Sequence, residues 1–121
     1  MKHDHPSLEE LTARLIAFRD ARDWRQFHSL KNLILSLNLE ASELLELTQW
    51  KTETEFDACI ESEEMKQRLK EECADVLLYL LLIAERAKID IQAVAAEKIE
   101  TNKAKYPADK ARGNAKKYTE L

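Results

Sequence analysis

Residues 37–51, LNLEASELLELTQWK, have the periodicity of an amphipathic helix, yet acidic residues interrupt its apolar stripe. At about 100° per residue, one set of leucines falls within about 40° of Leu33. Glu40 lies inside that arc and Glu43 lies at its edge, whereas Glu46 points about 120° away from Glu40. The pattern therefore predicts a helix that turns a pair of carboxylates, spaced i and i+3, toward its own core.

A second acidic pair follows in the stretch EECADVLLYL, within a predicted helix over residues 62–87. Asp75 lies about 60° from Glu72 around that helix, and Tyr79 and Ile83 lie within about 20° of Glu72. Glu71 points about 100° away and is expected to be more exposed. Two helices are thus each predicted to place an acidic pair beside apolar side chains.

Four carboxylates near a core need compensation, because the burial of an unpaired charge is strongly unfavourable. Arg68 lies one turn before Glu72 and can pair with it, but one arginine cannot neutralise four acids. Carboxylate oxygens are ligands for Mg²⁺ or Mn²⁺, and the absence of Cys and His from the set argues against zinc. Spacing alone leaves open the alternative that both pairs are solvated surface residues.

The composition bounds the fold and the function. The chain has 121 residues, with one glycine and two prolines, and 35% of its residues are charged. This predicts one all-α domain with a core of its own. The formal net charge of −4 argues against a nucleic-acid-binding surface.

We expect a cytoplasmic protein. Cys59 and Cys73 lack a CxxC spacing and are interpreted as free thiols. The polar start MKHDHPS has no apolar segment typical of a signal peptide. The apolar run of residues 76–84 is too short to span a bilayer, and its uniformly apolar surface predicts that a partner chain covers one face.

Breaks in periodicity predict four helices. The first begins at Ser7, which forms a capping-box pattern with Glu10. The second covers residues 29–50 after a break at DWRQFH, and the polar stretch KTETEFD ends it. The third covers residues 62–87, and the fourth begins after Asp90 and ends before Pro107. Residues 1–6 are predicted to be a disordered start, residues 7–106 the helical domain, and residues 107–121 a basic arm of that domain.

These motifs resemble those of a known family. RDWRQFH, NLEASELLELTQWK, EECADVLLYL and the ending ETNKAKYP…ARGNAKKYTEL are similar to the MazG-like all-α NTP pyrophosphatases, most of all to their dCTP pyrophosphatase branch. The resemblance implies a four-helix bundle, assembled as a dimer or a tetramer built of dimers. It also implies Mg²⁺-dependent hydrolysis of a nucleoside triphosphate to the monophosphate and diphosphate.

The resemblance carries residue roles as well. The family's ExxE…ExxD signature corresponds to Glu40, Glu43, Glu72 and Asp75, which are expected to bind the metal and support catalysis. Positions matching nucleotide-contacting residues are Trp24, Arg25, Gln26, Phe27, His28, Trp50, Tyr79 and Asn102. Arg112, Lys116 and Lys117 of the arm are ordinarily solvated, but they can fold over the phosphates.

Alternatives remain for several of these residues. Phe27 is more typical of a core, Trp24 of a helix corner, and Trp50 of a hydrophobic cap. His28 can be a hydrogen-bonded structural residue instead of a base or sugar contact. Among the acids, Glu43 at the edge of the arc is the hypothesised ligand and general base.

Substrate choice also stays open. Leu15 stands where the dCTP-selective relatives have a histidine. This leaves a choice between removal of dCTP or modified dCTP from the nucleotide pool and broader (d)NTP hydrolysis. A non-catalytic helical binding module and a structural helical dimer are the alternatives from other functional classes.

Overall fold

The computed structural model describes residues 5–121, and these residues form helices and connecting turns without a β-strand. Residues 1–4, which include His3 and most of the predicted disordered start, lie outside the described part. The α-helices are α1 (Leu8–Ala21), α2 (Leu30–Glu46), α3 (Glu53–Cys59), α4 (Glu63–Ala87), α5 (Ile91–Lys105) and α6 (Ala108–Ala111). Two 3₁₀ turns, Arg25–Phe27 and Tyr118–Glu120, complete the set. Within the described residues, no helix is long and apolar enough to cross a membrane.

Side-chain caps fix where the helices begin. At each of five starts, an oxygen of the capping side chain accepts a hydrogen bond of 3.1–3.2 Å from the backbone N–H three residues later. Such a cap typically stabilises a helix by about 1 kcal/mol. The capping residues are Ser7, Ser29, Thr52, Ser62 and Asp90. The four long helices therefore begin where the sequence predicted.

The structure corrects the prediction after the second helix. α2 ends at Glu46, and a series of turns carries the chain to Trp50, whose backbone is left-handed (φ 66°). The stretch KTETEFD, expected to be only a polar terminator, contains the start of α3. Thr52 and Glu55 have the capping-box spacing that indicates this short helix. In the arm, α6 and the second 3₁₀ turn add short elements that the sequence analysis did not anticipate.

One compact unit of the chain ends at Lys88, and in it α1 and α2 both pack on α4. Its most buried apolar side chains come from α2, the following turn and α4; they are Leu33, Leu47, Leu81, Leu82 and Ala84. Buried among them is one charge, Arg19 of α1, which is 4% exposed. Its guanidinium contacts Asp20 at 2.9 Å and reaches Glu85 of α4 at 3.3 Å. This ion pair ties α1 to the C-terminal half of α4.

The exposed apolar surface lies on a different helix from the one that the sequence predicted. Every residue from 76 to 84 on α4 is at least partly buried within the chain. The exposed apolar surface of this unit lies largely on α2, where Ile34, Leu35, Leu39 and Leu45 are 51–69% exposed. Packing of α1 and α2 accounts for the covered run on α4, so α2 offers more apolar surface to a partner.

The second compact unit is Ile89–Leu121, and it contains α5, α6 and the C-terminal turn. Tyr106 and Tyr118 meet edge to face with ring centroids 6.1 Å apart, and the Lys105 ammonium lies 4.9 Å from the Tyr118 ring centroid. These contacts hold the C-terminal turn against the end of α5. The one glycine, Gly113, takes a left-handed conformation (φ 76°) in the connecting turn.

Candidate active site

Packing of α2 along α4 brings three carboxylates together. Glu40, Glu43 and Glu72 each offer an oxygen, and these three oxygens all lie within 4.8 Å of one another. Glu40 and Glu72 are partly buried and Glu43 is exposed. The inward direction of Glu40 follows from its place on the apolar arc of α2, between Leu33 and Leu47. Asp75 borders this group without belonging to it.

Two of these carboxylates have a buried oxygen with no hydrogen-bond partner. These atoms are Oε2 of Glu40 and Oε2 of Glu72. A buried, unpaired carboxylate oxygen is unfavourable unless a proton or a cation compensates it. Burial raises the pKa of Glu40, and the hydrogen bond and negative charge of Glu43 raise it further. Burial also raises the pKa of Glu72, with added repulsion from Glu43 and Asp75.

The donor set fits a hard divalent cation. All three side chains supply carboxylate oxygens, which are the ligands that Mg²⁺ and Mn²⁺ prefer. A cation bound among these three side chains would offset the repulsion that contributes to both raised pKa values. Residues Glu40, Glu43 and Glu72 can therefore hold such an ion.

Acidification should relieve the unfavourable burial and repulsion of these carboxylates in the cation-free protein. Because folding raises the pKa of Glu40 and Glu72 above the ordinary 4.5, the stability from these groups is fully present below that pH. It is lost as the pH rises through the raised pKa values. We therefore expect Glu40→Gln to raise the melting temperature in EDTA at pH 7 by about 2–4 °C.

The same gain should shrink toward pH 4.5, where Glu40 itself is increasingly protonated. Differential scanning fluorimetry at both pH values measures it. Glu46→Gln, an exposed change on the same helix, serves as the control. An equal gain at pH 7 and pH 4.5 would contradict the interpretation.

A pocket of about 260 Å³ lies beside the carboxylates, between α1, the turn that follows it, and α4. Its wall combines apolar side chains with aromatic and polar ones: Leu15, Phe18, Arg19, Trp24, His28, Asp75, Leu78, Tyr79 and Leu82. The α4 residues from Asp75 to Leu82 span about 10 Å of helix, which is enough for a planar ring system. The chemistry of this wall suits a nucleobase, with apolar surfaces for its faces and polar groups for its edge.

Trp24 is held in place at the pocket. Its ring meets Phe18 edge to face at 5.7 Å, and the Arg22 guanidinium lies 3.8 Å above the other aromatic ring, that of Phe18. This stack fixes the indole before a ligand arrives, which lowers the entropic cost of binding. Trp24 remains 43% exposed, so a ring can still reach it.

The surroundings of His28 favour its neutral form, and one of its ring nitrogens has no hydrogen-bond partner. Burial lowers the pKa of His28, and the positive charge of Arg19 lowers it further. Its Nδ1 is buried and has no hydrogen-bond partner. A neutral imidazole can donate through one nitrogen and accept through the other, so His28 can meet either kind of ligand atom.

Other expected site residues lie outside the pocket wall. Arg25, Gln26 and Phe27 form the 3₁₀ turn, and the Gln26 amide is bonded to Asp23 at 3.0 Å. Phe27 is 63% exposed, so its interpretation as a core residue is wrong. Trp50 is 91% exposed and does not border the pocket. Asn102, Arg112, Lys116 and Lys117 belong to the second compact unit, and their roles stay predictions.

Four residues of the pocket wall were not among the predicted site residues, namely Phe18, Arg19, Leu78 and Leu82. The two leucines follow Asp75 and Tyr79 by three residues each, so helical spacing placed them on the same side of α4. The position of Arg19 between α1 and α4 gave no local signal, because Glu85, one of its two partners, is 66 residues away in the chain.

Comparisons with known proteins identify relatives of this chain. The model of the MazG-like family matches residues 35–121. The dCTP pyrophosphatase 1 of Homo sapiens is 41% identical over 116 residues, which cover 96% of this chain and 68% of that protein. The Mus musculus protein of the same name is 40% identical with the same coverage. The crystal structure of a pyrophosphatase from Archaeoglobus fulgidus matches with a TM-score of 0.78 and 40% identity, covering 88% of this chain and 98% of that one.

Proposed function

The chain belongs to the MazG-like family, and from this membership we propose that it hydrolyses a nucleoside triphosphate to the monophosphate and diphosphate in a Mg²⁺-dependent reaction. It is a dCTP diphosphatase-like enzyme, as the curated relatives indicate. The observation that carries the mechanism is the approach of Glu40, Glu43 and Glu72 to within 4.8 Å beside a pocket with aromatic walls.

The proposed division of labour follows from the two halves of the site. The pocket at Trp24, His28 and Tyr79 takes the base, and the neighbouring glutamates take the phosphates. Since a triphosphate and a carboxylate cluster repel each other, the glutamates need a bound cation before the substrate can lie beside them. A Mg²⁺ ion held by these glutamates would neutralise charge and would polarise the α-phosphoryl group.

The chain's own residues then have separate tasks. Glu40 and Glu72 would hold the cation, because each is partly buried and has one oxygen without a hydrogen-bond partner. Glu43 is exposed, so it can reach a water molecule and take its proton. The water oxygen bonds to the α-phosphorus, the bond from that phosphorus to the bridging oxygen breaks, and diphosphate leaves. We assign the base role to Glu43 because it combines proximity to the cluster with access to solvent.

The proposed substrate is dCTP or a modified dCTP, and its hydrolysis would remove this nucleotide from the nucleotide pool. Leu15 on the pocket wall favours the second candidate, a broader (d)NTP pyrophosphatase, because a leucine offers no hydrogen bond to a base. A non-catalytic binding module is disfavoured, since Glu40, Glu43, Glu72 and Asp75 are all present.

A screen of pyrophosphate release tests this proposal. The common and 5-modified (d)NTPs are each incubated with the protein and Mg²⁺, and released diphosphate is measured. We expect turnover of at least dCTP, with one monophosphate formed for each diphosphate. Formation of the diphosphate nucleotide and inorganic phosphate would contradict the proposed bond cleavage, and no turnover of any triphosphate would overturn the function.

We also propose that the protein works as a dimer or a tetramer of dimers. The support is the exposed apolar surface of α2, where Ile34 and Leu39 are more than half exposed. Surfaces of this kind are typical of subunit interfaces. Light scattering coupled to size-exclusion chromatography measures the mass, and a stable monomer would contradict the proposal.

A further inference from the structure

Backbone hydrogen bonds at the end of α1 fix the position of one residue of the pocket wall. The Trp24 N–H donates to the Arg19 carbonyl at 3.2 Å, and the Asp23 N–H donates to the Asp20 carbonyl at 3.1 Å. This pair of bonds is a Schellman motif, which often brings a side chain just beyond the helix against an apolar one in its last turn. Here that contact joins the rings of Trp24 and Phe18. The way in which α1 ends therefore determines where the indole lies.

Asp23 occupies the position of this motif that is usually glycine. Its φ is 53°, in the left-handed region that side chains disfavour, although Asp and Asn tolerate it better than most. Such a conformation persists only where the surrounding contacts hold it. Gln26 supplies two of these contacts, because its Nε2 donates to the carbonyl oxygen and to Oδ2 of Asp23, each at 3.0 Å. The amide thus ties the backbone of the turn to the Asp23 carboxylate.

Gln26 makes these bonds from outside the pocket. It is exposed and is not among the described residues that line the pocket, whereas Trp24 and His28 on either side of it do line it. Its amide nitrogen has two N–H donors and makes two hydrogen bonds within the turn. Resting on the proposed function, we propose that Gln26 is a positioning residue. It holds Trp24 ready for the nucleotide through Asp23 and does not contact the substrate itself.

Arg19 anchors the same turn to α4. Its backbone carbonyl accepts the Trp24 N–H, and its buried guanidinium donates to Asp20 and to Glu85 of α4. The indole is therefore fixed relative to α4, which forms the opposite wall of the pocket. A loosened turn would free the indole, and binding of a nucleotide would then include the entropic cost of ordering it.

NMR relaxation of the Trp24 indole N–H tests the positioning without any substrate. A Trp50→Phe variant assigns the two indole signals, and the Trp24 order parameter is compared between the wild-type protein and Gln26→Ala. We expect about 0.85 in the wild type and less than about 0.6 in the variant, the values typical of rigid and flexible groups. Gln67→Ala is the matched control and should leave the indole unchanged. Gln67 is also an exposed glutamine whose amide donates to an acid, Glu71, at 3.2 Å.

Steady-state kinetics of dCTP hydrolysis show what this positioning contributes to substrate binding. In Gln26→Ala we expect KM to rise about threefold to tenfold, which corresponds to the cost of ordering one side chain. The kcat value should stay within about twofold, because the carboxylate cluster is unchanged. A merely structural role would lower the melting temperature without this separation of KM from kcat. Asp23→Asn should retain the wild-type KM, because asparagine also accepts a hydrogen bond and tolerates a left-handed backbone.

A double-mutant cycle distinguishes positioning from direct contact with the nucleotide. Trp24→Ala removes the side chain that Gln26 is proposed to hold, so the addition of Gln26→Ala should not raise KM further. A glutamine that touched the nucleotide would raise KM by the same factor in both backgrounds. Circular dichroism establishes that the variants are folded, which is expected because both positions are exposed.

Three outcomes would overturn the proposal. The first is a Trp24 order parameter in Gln26→Ala equal to that of the wild type, and the second is a wild-type KM in that variant. The third is an additive effect of the two substitutions on KM. If no triphosphate is hydrolysed, the proposed function fails by itself, and the indole order parameter alone decides whether Gln26 holds Trp24.

Discussion

Replacing Glu40 with glutamine is expected to lower kcat for diphosphate release by about a thousandfold, on the scale seen when a transition-state charge loses its stabiliser. Glutamine keeps the size of the side chain but removes the negative charge that would hold the cation. One Glu40 oxygen is buried without a hydrogen-bond partner, so a cation bound beside it would supply the missing interaction. The measurement is steady-state release of diphosphate from dCTP at saturating Mg²⁺.

Glu46→Gln is the matched control, since it makes the same chemical change on the same helix at an exposed position. It should leave kcat within about twofold, because Glu46 is not part of the carboxylate cluster and an exposed charge of this kind contributes little. Wild-type kcat in Glu40→Gln would remove Glu40 from the catalytic machinery. The expected result is a loss of activity together with a higher melting temperature in EDTA. It would show that Glu40 destabilises the cation-free fold and is needed for cation-dependent activity.

Removing the divalent cation should abolish turnover, so that activity in excess EDTA falls to the uncatalysed background. Re-addition of Mg²⁺ should restore it. The carboxylate cluster gives the physical reason, because without a cation it repels the triphosphate. Residual activity in EDTA comparable to that in Mg²⁺ would contradict a metal-dependent mechanism.

Melting temperature provides a readout independent of activity. A ligand that binds only the folded protein stabilises it by about 2.7 kcal/mol at a hundred times its Kd. Mg²⁺ together with a nucleotide should therefore raise the melting temperature of the wild-type protein, and should do so far less in Glu40→Gln. A purely structural helical protein would respond to neither.

Local signals explain how much of the fold was predictable. Ser7, Ser29, Ser62 and Asp90 all begin helices as their sequence context predicted, because a cap depends on residues only three positions apart. The short helix α3 was not predicted, because its polar composition was interpreted as a helix terminator despite the capping pattern at Thr52. The C-terminal limit of α2 was also misplaced, since periodicity continues past the point where the backbone turns.

Some features of the candidate site were also predictable from local sequence, and others were not. Helical spacing predicted that both acids of each pair face inward, which is wrong for Glu43 and Asp75, because both are exposed. Glu40 and Glu72 are partly buried, and their approach follows once α2 packs on α4.

The wall of the pocket was harder to predict, because the position of Arg19 depends in part on its ion pair with Glu85, far along the chain. Asp75 shows the limit most clearly. The spacing that groups it with Glu72 cannot distinguish a carboxylate in the cluster from one that borders the neighbouring pocket.

The different surroundings of the two tryptophans give this protein a built-in optical probe. Trp24 lies against Phe18 and lines the pocket, whereas Trp50 is 91% exposed. Fluorescence quenching by iodide will therefore act first on Trp50, and a base that stacks on Trp24 will change the less accessible emission. Occupancy of the cavity and coverage of the outer surface can thus be followed as two separate signals from one unlabelled chain.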